Sequence, residues 1–289
     1  MALWTPTDAS GRLDETGLRA NLVFLRDKGI AGWMLLGSTG EFLRVDLEER
    51  LRFLEFVKPL TGGLPAMVNV SDARLPGIVA LGRRAGQLGF DSISLLPPWF
   101  FPQTQADLAE FYVRCAEAIG LPMFLYNFPE RTGNRIDLPT IAAVADRVQV
   151  VGVKQSGAEF DYHRDLAALG REKGFVLLSG GEPRLAEAMA LGATGCVSGM
   201  ANVVPELIVA LYQAARRGDR QAIEENTARV VELANAINRL QFPVNVAAAM
   251  EARGLAVGEP KLPLSPATVL VYQETVAEAR RLYRAWKLN

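Results

Sequence analysis

Apolar and polar residues alternate along this chain in two rhythms. Short runs rich in β-branched residues predict strands. Longer stretches with apolar residues three and four apart predict amphipathic helices. Ala2 to Thr5 reads as a short first strand, and Asp14 to Lys28 as a helix with Leu18, Leu22 and Leu25 on one face, stopped by Gly29. Strands are then expected at Ile30–Leu36, Pro65–Val70, Ser92–Leu96, Pro122–Tyr126, Val148–Ser156, Phe175–Leu178 and Gly195–Ser198. Helices are expected between and after them, at Asp46–Leu60, Pro76–Leu88, Gln105–Ile119, Leu138–Ala145, Phe160–Arg171, Pro183–Leu191 and Pro205–Arg216.

Eight such β-α pairs predict an α/β fold, a (β/α)8 TIM barrel over residues 1–217 that carries the active site. From residue 218 to 289 the strand rhythm stops. Helices are expected at Asp219–Leu240, Val244–Arg253 and Thr268–Trp286, with the loop GLAVGEPKLPLSP between the last two. This segment reads as a C-terminal helical subdomain packed on the barrel.

A barrel of this class places its chemistry at the C-terminal ends of its strands. Chemistry-bearing residues gather there. The second strand runs into Gly37-Ser38-Thr39-Gly40-Glu41, the third into Asn69, Ser71 and Asp72, and the fifth into Tyr126-Asn127. The seventh runs into Ser179-Gly180-Gly181-Glu182, and the eighth into Ser198-Gly199. In GSTGE, glycines admit close approach, and two hydroxyls with backbone N–H groups suit a carboxylate. Each cluster has a bland reading too: a glycine turn, a tight βα loop, a core tyrosine with its hydroxyl satisfied. A phosphate site at the last two loops is a further possibility.

The sixth strand, VQVVGVKQS, carries one charge, Lys154, on an otherwise apolar run. Taking an ammonium out of water is costly, so a lysine there is either paired with a buried carboxylate or kept for chemistry. An amine buried without a counter-charge is a nucleophile for carbonyl carbon and forms Schiff bases.

Composition excludes several classes. The chain has 289 residues, 49% hydrophobic and 22% charged, with net charge -1 and no long basic run, so nucleic acid is not an expected partner. Two cysteines, Cys115 and Cys196, both in apolar surroundings, argue against a disulfide framework and for a reducing compartment, the cytoplasm, as the expected location. No signal peptide is expected from MALWTPTDASGRLDE, and no apolar run is long enough to span a membrane. The single histidine, His163, lies in the polar stretch DYHRD and reads as a solvated helix position. There is no GxSxG elbow, no zinc spacing, no P-loop and no GxGxxG after a strand.

Three motifs in order, GSTGE at 37–41, YNFPERTG at 126–133 and GVKQS at 152–156, resemble the dihydrodipicolinate synthase and N-acetylneuraminate lyase family. LGATGCVSGMANVVPE at 191–206 and the helical tail extend the resemblance over nearly the whole chain. It implies a class I, Schiff-base-forming lyase or aldolase that takes up or releases pyruvate, works without metal or organic cofactor, and forms a homotetramer or dimer. By the same resemblance Lys154 is the Schiff-base lysine and Tyr126 the general acid/base. Ser38 and Thr39 hold the substrate carboxylate within the Gly37 turn, with Ser38 in the proton relay. Arg131 stands where synthases hold the second substrate's carboxylate. Gly180, Glu182 and Ser198 lie on loops that shape the second-substrate pocket.

The chain also departs from the family pattern. Many members carry a tyrosine after strand four that reaches a neighbouring subunit's site; here that loop is PPWFFP, 97–102, with no hydroxyl. Sialic acid lyases have adjacent acidic residues after strand seven, where this chain has Gly181-Glu182-Pro183. Four readings stay open: a 2-oxo-acid aldolase or lyase, a synthase joining pyruvate to aspartate semialdehyde, a 2-oxo-3-deoxy sugar-acid dehydratase, and a non-catalytic ligand-binding relative.

Overall fold

The structure is a computed structural model and describes residues 1–288. The chain divides into two compact units, one made of residues 33–35 and 63–197, the other of residues 1–32, 36–62 and 198 onward.

The first unit holds all seven named strands: β1 (Trp33–Leu35), β2 (Ala66–Asn69), β3 (Ser92–Leu95), β4 (Met123–Asn127), β5 (Val150–Gln155), β6 (Val176–Ser179) and β7 (Gly195–Cys196). They form one parallel sheet in chain order. Sequential parallel strands require a crossover between each pair, and helices make most of them. Among the described residues there are twelve α-helices: α1 (Glu15–Leu25), α2 (Leu47–Val57), α3 (Leu75–Gln87), α4 (Gln105–Ile119), α5 (Pro129–Thr132), α6 (Leu138–Ala145), α7 (Tyr162–Lys173), α8 (Leu185–Ala190), α9 (Pro205–Arg217), α10 (Arg220–Ile237), α11 (Val244–Ala252) and α12 (Pro266–Ala285). Those from α3 to α8 belong to the sheet unit.

Local chemistry sets the ends. Helix α4 begins because the Thr104 hydroxyl accepts from the Asp107 N–H, and stops because Gly120 takes a left-handed conformation, φ 77°. Its inner face buries Leu108, Tyr112, Val113, Cys115 and Ala116. Polar groups at the ends of the buried strands satisfy one another. The Ser71 hydroxyl donates to Asn69 at 2.8 Å and accepts from the Leu96 N–H at 2.9 Å. Asn127 donates to the Gln155 side-chain carbonyl at 2.7 Å and accepts from the Ile136 N–H at 3.0 Å. This is the pairing that buried amides require.

The sheet curls strongly. Strands β1 and β5 are four places apart, which in a flat sheet separates them by roughly 19 Å. Lys154 on β5 nevertheless reaches Met34 on β1 at 3.5 Å. Between β4 and β5 the register shifts by one residue: Met123 pairs with Val150 but Phe124 with Gly152. Gly152 is required there, because a Cβ would lie 2.1 Å from the Phe124 ring.

The second unit contains the N-terminal segment, α1, α2 and α9 to α12. Helix α9 packs against α10, and α12 against both α10 and α11. The expected strand at Ala2–Thr5 is not among the named strands. Its backbone groups bond elsewhere: Ala2 N–H to the Ser198 carbonyl at 2.9 Å, Trp4 N–H to the Asn202 side chain at 2.9 Å. Asn202 also donates to the Ala2 carbonyl at 2.7 Å, so a side chain replaces part of a strand ladder. Arg253, nearly fully buried, bonds Glu206, which also pairs with Lys28. Among the described residues no helix is long and apolar enough to cross a membrane.

Candidate active site

Strand β5 is buried along nearly its whole length, and Lys154 on it is 4% exposed. The shifted register sets Tyr126 directly beside it. The ammonium nitrogen Nζ lies 3.8 Å from the centre of the Tyr126 ring and 3.5 Å from the Met34 sulfur. Tyr126 and Met34 are themselves inaccessible to solvent. Among the described residues no carboxylate pairs with Lys154. The ion-pair explanation of a buried lysine therefore does not apply.

Other expected residues lie in the same sheet unit. Arg131 lies on α5, immediately after β4, exposed, with its guanidinium 5.9 Å from the Phe128 ring. Gly180 follows β6 and is needed for space: a Cβ there would come 2.0 Å from the Ser156 hydroxyl. Glu182 opens a single 3-10 turn, Glu182–Arg184. Burial pushes the thiols of Cys115 and Cys196 up to about 12, so neither serves as a nucleophile near neutral pH.

The other expected residues belong to the second unit. GSTGE is a tight turn. Leu36 enters it with φ 54° and Glu41 leaves it with φ 55°, both in the left-handed region that non-glycine residues avoid. Such backbone strain gathers at functional sites. Thr39 is buried and Ser38 half-buried, and the Ser38 carbonyl accepts from the Glu41 N–H at 3.1 Å. Gly37 is buried in the same turn. Ser198 is buried, and its hydroxyl accepts from the Ala201 N–H at 2.9 Å, which starts the 3-10 turn Met200–Asn202.

His163 is not a solvated position. It is 2% exposed on the inner stripe of α7 with Leu166, Ala167 and Gly170. Its Nδ1 lies 2.9 Å from the Phe160 carbonyl, so Nδ1 carries the hydrogen and Nε2 accepts from the Ser179 hydroxyl at 3.1 Å. Ser179 in turn accepts from the Gly181 N–H at 3.3 Å. The chain of bonds fixes the loop that carries Gly180 and Glu182. The stripe was visible in the helical spacing; the polar neighbours in DYHRD masked it.

Asn134 is a second residue of this kind. Its side chain donates to the carbonyls of Pro98 at 2.8 Å and Phe101 at 2.9 Å and accepts from the Gln103 N–H at 2.8 Å. It thereby holds the PPWFFP loop, in which Phe100 takes φ 77° and is 84% exposed. Among the described residues no group of three His, Cys, Asp or Glu side chains stands close enough to hold a metal ion.

A sequence model of the dihydrodipicolinate synthetase family matches residues 1–281. The chain belongs to that family. It is similar to an uncharacterized DapA-like lyase of Halobacterium salinarum, 32% identical over 90% of this chain and 85% of the relative. It is also similar to the 4-hydroxy-tetrahydrodipicolinate synthase of Methanothrix thermoacetophila, 31% identical over 92% and 90%. Among solved structures it resembles YagE of E. coli K12, a member of the same family in complex with pyruvate: TM-score 0.90, 25% identity, 100% and 97% coverage. Dihydrodipicolinate synthetase family members are Schiff-base lyases and aldolases that use pyruvate with an aldehyde, and this chain is an enzyme of that class.

Proposed function

We propose that Lys154 is the imine-forming residue of a pyruvate-dependent aldolase or lyase. The observation that carries this is its position: buried on β5, against the Tyr126 ring at 3.8 Å, without a carboxylate partner. The Nζ lone pair attacks C2 of the 2-oxo acid, and loss of water leaves an imine. A proton leaves C3 and the imine becomes an enamine. The enamine carbon attacks an aldehyde, and hydrolysis of the new imine frees Lys154. Cleavage of a 2-oxo-4-hydroxy acid is the same path reversed.

Tyr126 moves the protons in this scheme, with Ser38 as its relay partner, and Ser38, Thr39 and the N–H groups of the Gly37 turn hold the pyruvate carboxylate. The family motif and the strained GSTGE turn support these roles. Arg131, Gly180, Glu182 and Ser198 are assigned to the second substrate on the family pattern alone. We further read residues 1–217 as a closed (β/α)8 barrel with residues 218–289 as its helical appendage, which the full-length likeness to YagE supports. A cytoplasmic homotetramer or dimer completes the reading.

Sodium borohydride with pyruvate tests it. A reduced pyruvyl group on Lys154, found by peptide mapping, is the expected product. An unmodified Lys154 under conditions that label another family enzyme rejects the assignment. The second reading is a 4-hydroxy-tetrahydrodipicolinate synthase. Arg131 directly after β4 and the similarity to a named synthase favour it. Absence of turnover with aspartate semialdehyde, while pyruvate still labels Lys154, excludes that acceptor.

A further inference from the structure

The loop between α11 and α12 carries a buried lysine that the scheme above does not use. Lys261 Nζ donates to the Thr5 carbonyl at 2.8 Å and to Glu41 Oε1 at 3.1 Å. The two side chains are 3% and 8% exposed, so the pair is desolvated. Burial lowers the Lys261 pKa, and the Glu41 charge opposes that shift. Nζ also lies 5.1 Å from the Trp4 ring centre.

Glu41 is the last residue of GSTGE. Its backbone is left-handed, its N–H donates to the Ser38 carbonyl, and its carboxylate also pairs with Arg44. A conformation that a glutamate avoids persists only when its surroundings over-determine it. Lys261 supplies such a restraint from a point 220 residues away in the chain. The restraint has backing on both sides. Gly258 packs so close that a Cβ would meet the Thr7 backbone at 2.4 Å, and the Glu259 N–H donates to the Thr7 carbonyl at 2.7 Å. The Trp4 indole donates to the Val257 carbonyl at 2.9 Å. On the motif's side, Gly40 lies so close to Thr5 that a Cβ would stand 2.6 Å from its hydroxyl.

We propose that Lys261 is a positioning residue for substrate binding: through Glu41 it holds the GSTGE turn in the shape that receives the 2-oxo-acid carboxylate. The inference rests on the proposed role of that turn. It makes the C-terminal segment part of the binding apparatus, in addition to any part it plays in packing. Lys261 does not itself touch the substrate.

The test follows labelling of Lys154 by borohydride at increasing pyruvate concentration, in the full-length wild-type protein and in K261M, K261R and E41Q. A displaced carboxylate turn is expected to raise the half-saturating pyruvate concentration about tenfold or more in K261M, with the maximal extent of labelling at saturation kept. Arginine keeps the charge and the donors, so K261R is expected to regain most of the affinity. E41Q, which keeps the shape and removes the charge, is expected to shift in the same direction as K261M, and it decides the matter if K261M does not fold. A half-saturating concentration that stays at the wild-type value in a folded variant, with only the melting temperature lowered, makes Lys261 merely structural and overturns the proposal. An unlabelled wild-type protein rejects the imine reading and this inference together; a labelled wild type with unshifted variants rejects this inference alone.

Discussion

Replacing Lys154 with methionine separates a lysine kept for chemistry from one kept for stability. A buried lysine in an ion pair costs about 3–5 kcal/mol to remove, because its carboxylate is left uncompensated. Among the described residues Lys154 has no such partner. At 4% exposure its amine is shielded from water, and among the described residues it has the Tyr126 ring and the Met34 sulfur in exchange. Ring contacts of this kind return about 2 kcal/mol, while desolvation of a charge costs several. Methionine fills nearly the same volume, keeps the stem packed and packs well against a ring and a thioether. The variant K154M is therefore expected to be as stable as the wild type or more stable by about 1–3 kcal/mol, with no labelling by pyruvate and borohydride. Urea unfolding followed by circular dichroism measures the first quantity and mass spectrometry the second. Destabilisation by more than about 1 kcal/mol would refute the reasoning, because it would show that the amine contributes net stability where it stands.

Two further predictions concern charge. Burial alone would raise the pKa of Glu206, but Arg253 and Lys28 hold it down to about 2 from 4.5. A depressed folded-state value stabilises above pH 4.5 and is lost as the pH falls from there toward 2. At 29% exposure the effect is worth about 1–2 kcal/mol after screening, and the E206Q variant should show a flatter stability profile over that span. For His163, burial lowers the pKa below 6.5, with Arg184 adding to the effect. Its contribution is present above pH 6.5 and shrinks below it, so H163F should be less stable near neutrality by about 1–3 kcal/mol and less sensitive to acid between pH 6.5 and 5. Melting curves across that range check both halves of the statement.

Much of this molecule could be read from its sequence, for identifiable reasons. Gln105–Ile119 and Leu138–Ala145 are helices over the residues expected, because apolar spacing and flanking Thr104, Gly120 and Asp137 mark them locally. The lysine strand was evident because a charge in a valine-rich run is a local anomaly. What escaped depends on distant partners. Ala2–Thr5 has strand-like composition, but Asn202, roughly two hundred residues on, takes up its backbone groups. Lys261 sits in a proline- and glycine-rich loop where nothing local distinguishes it from a solvated lysine. His163 is an intermediate case. It falls in step with Leu166 and Gly170, yet the charged Asp161, Arg164 and Asp165 around it mark the stretch as exposed.

The register shift between β4 and β5 has a consequence for how such a site can change. Were every residue paired in turn from Met123 and Val150, with Val151 taken into the ladder, Asn127 rather than Tyr126 would stand beside Lys154, and the tyrosine would face the side of the sheet opposite to the lysine. Which hydroxyl or amide accompanies the amine is thus decided by a count of residues upstream, at Val151 and Gly152, and not by the identity of the residues at the pair itself. Point substitutions leave that count untouched, so the partnership withstands drift in side-chain identity around it. A codon lost or gained between Gly152 and Lys154 would exchange the partner in one step, whereas loss of the unpaired Val151 would straighten the ladder and keep Tyr126 in place. Anyone remodelling this chemistry has an indel as a lever of a different kind from any replacement of the residues in view.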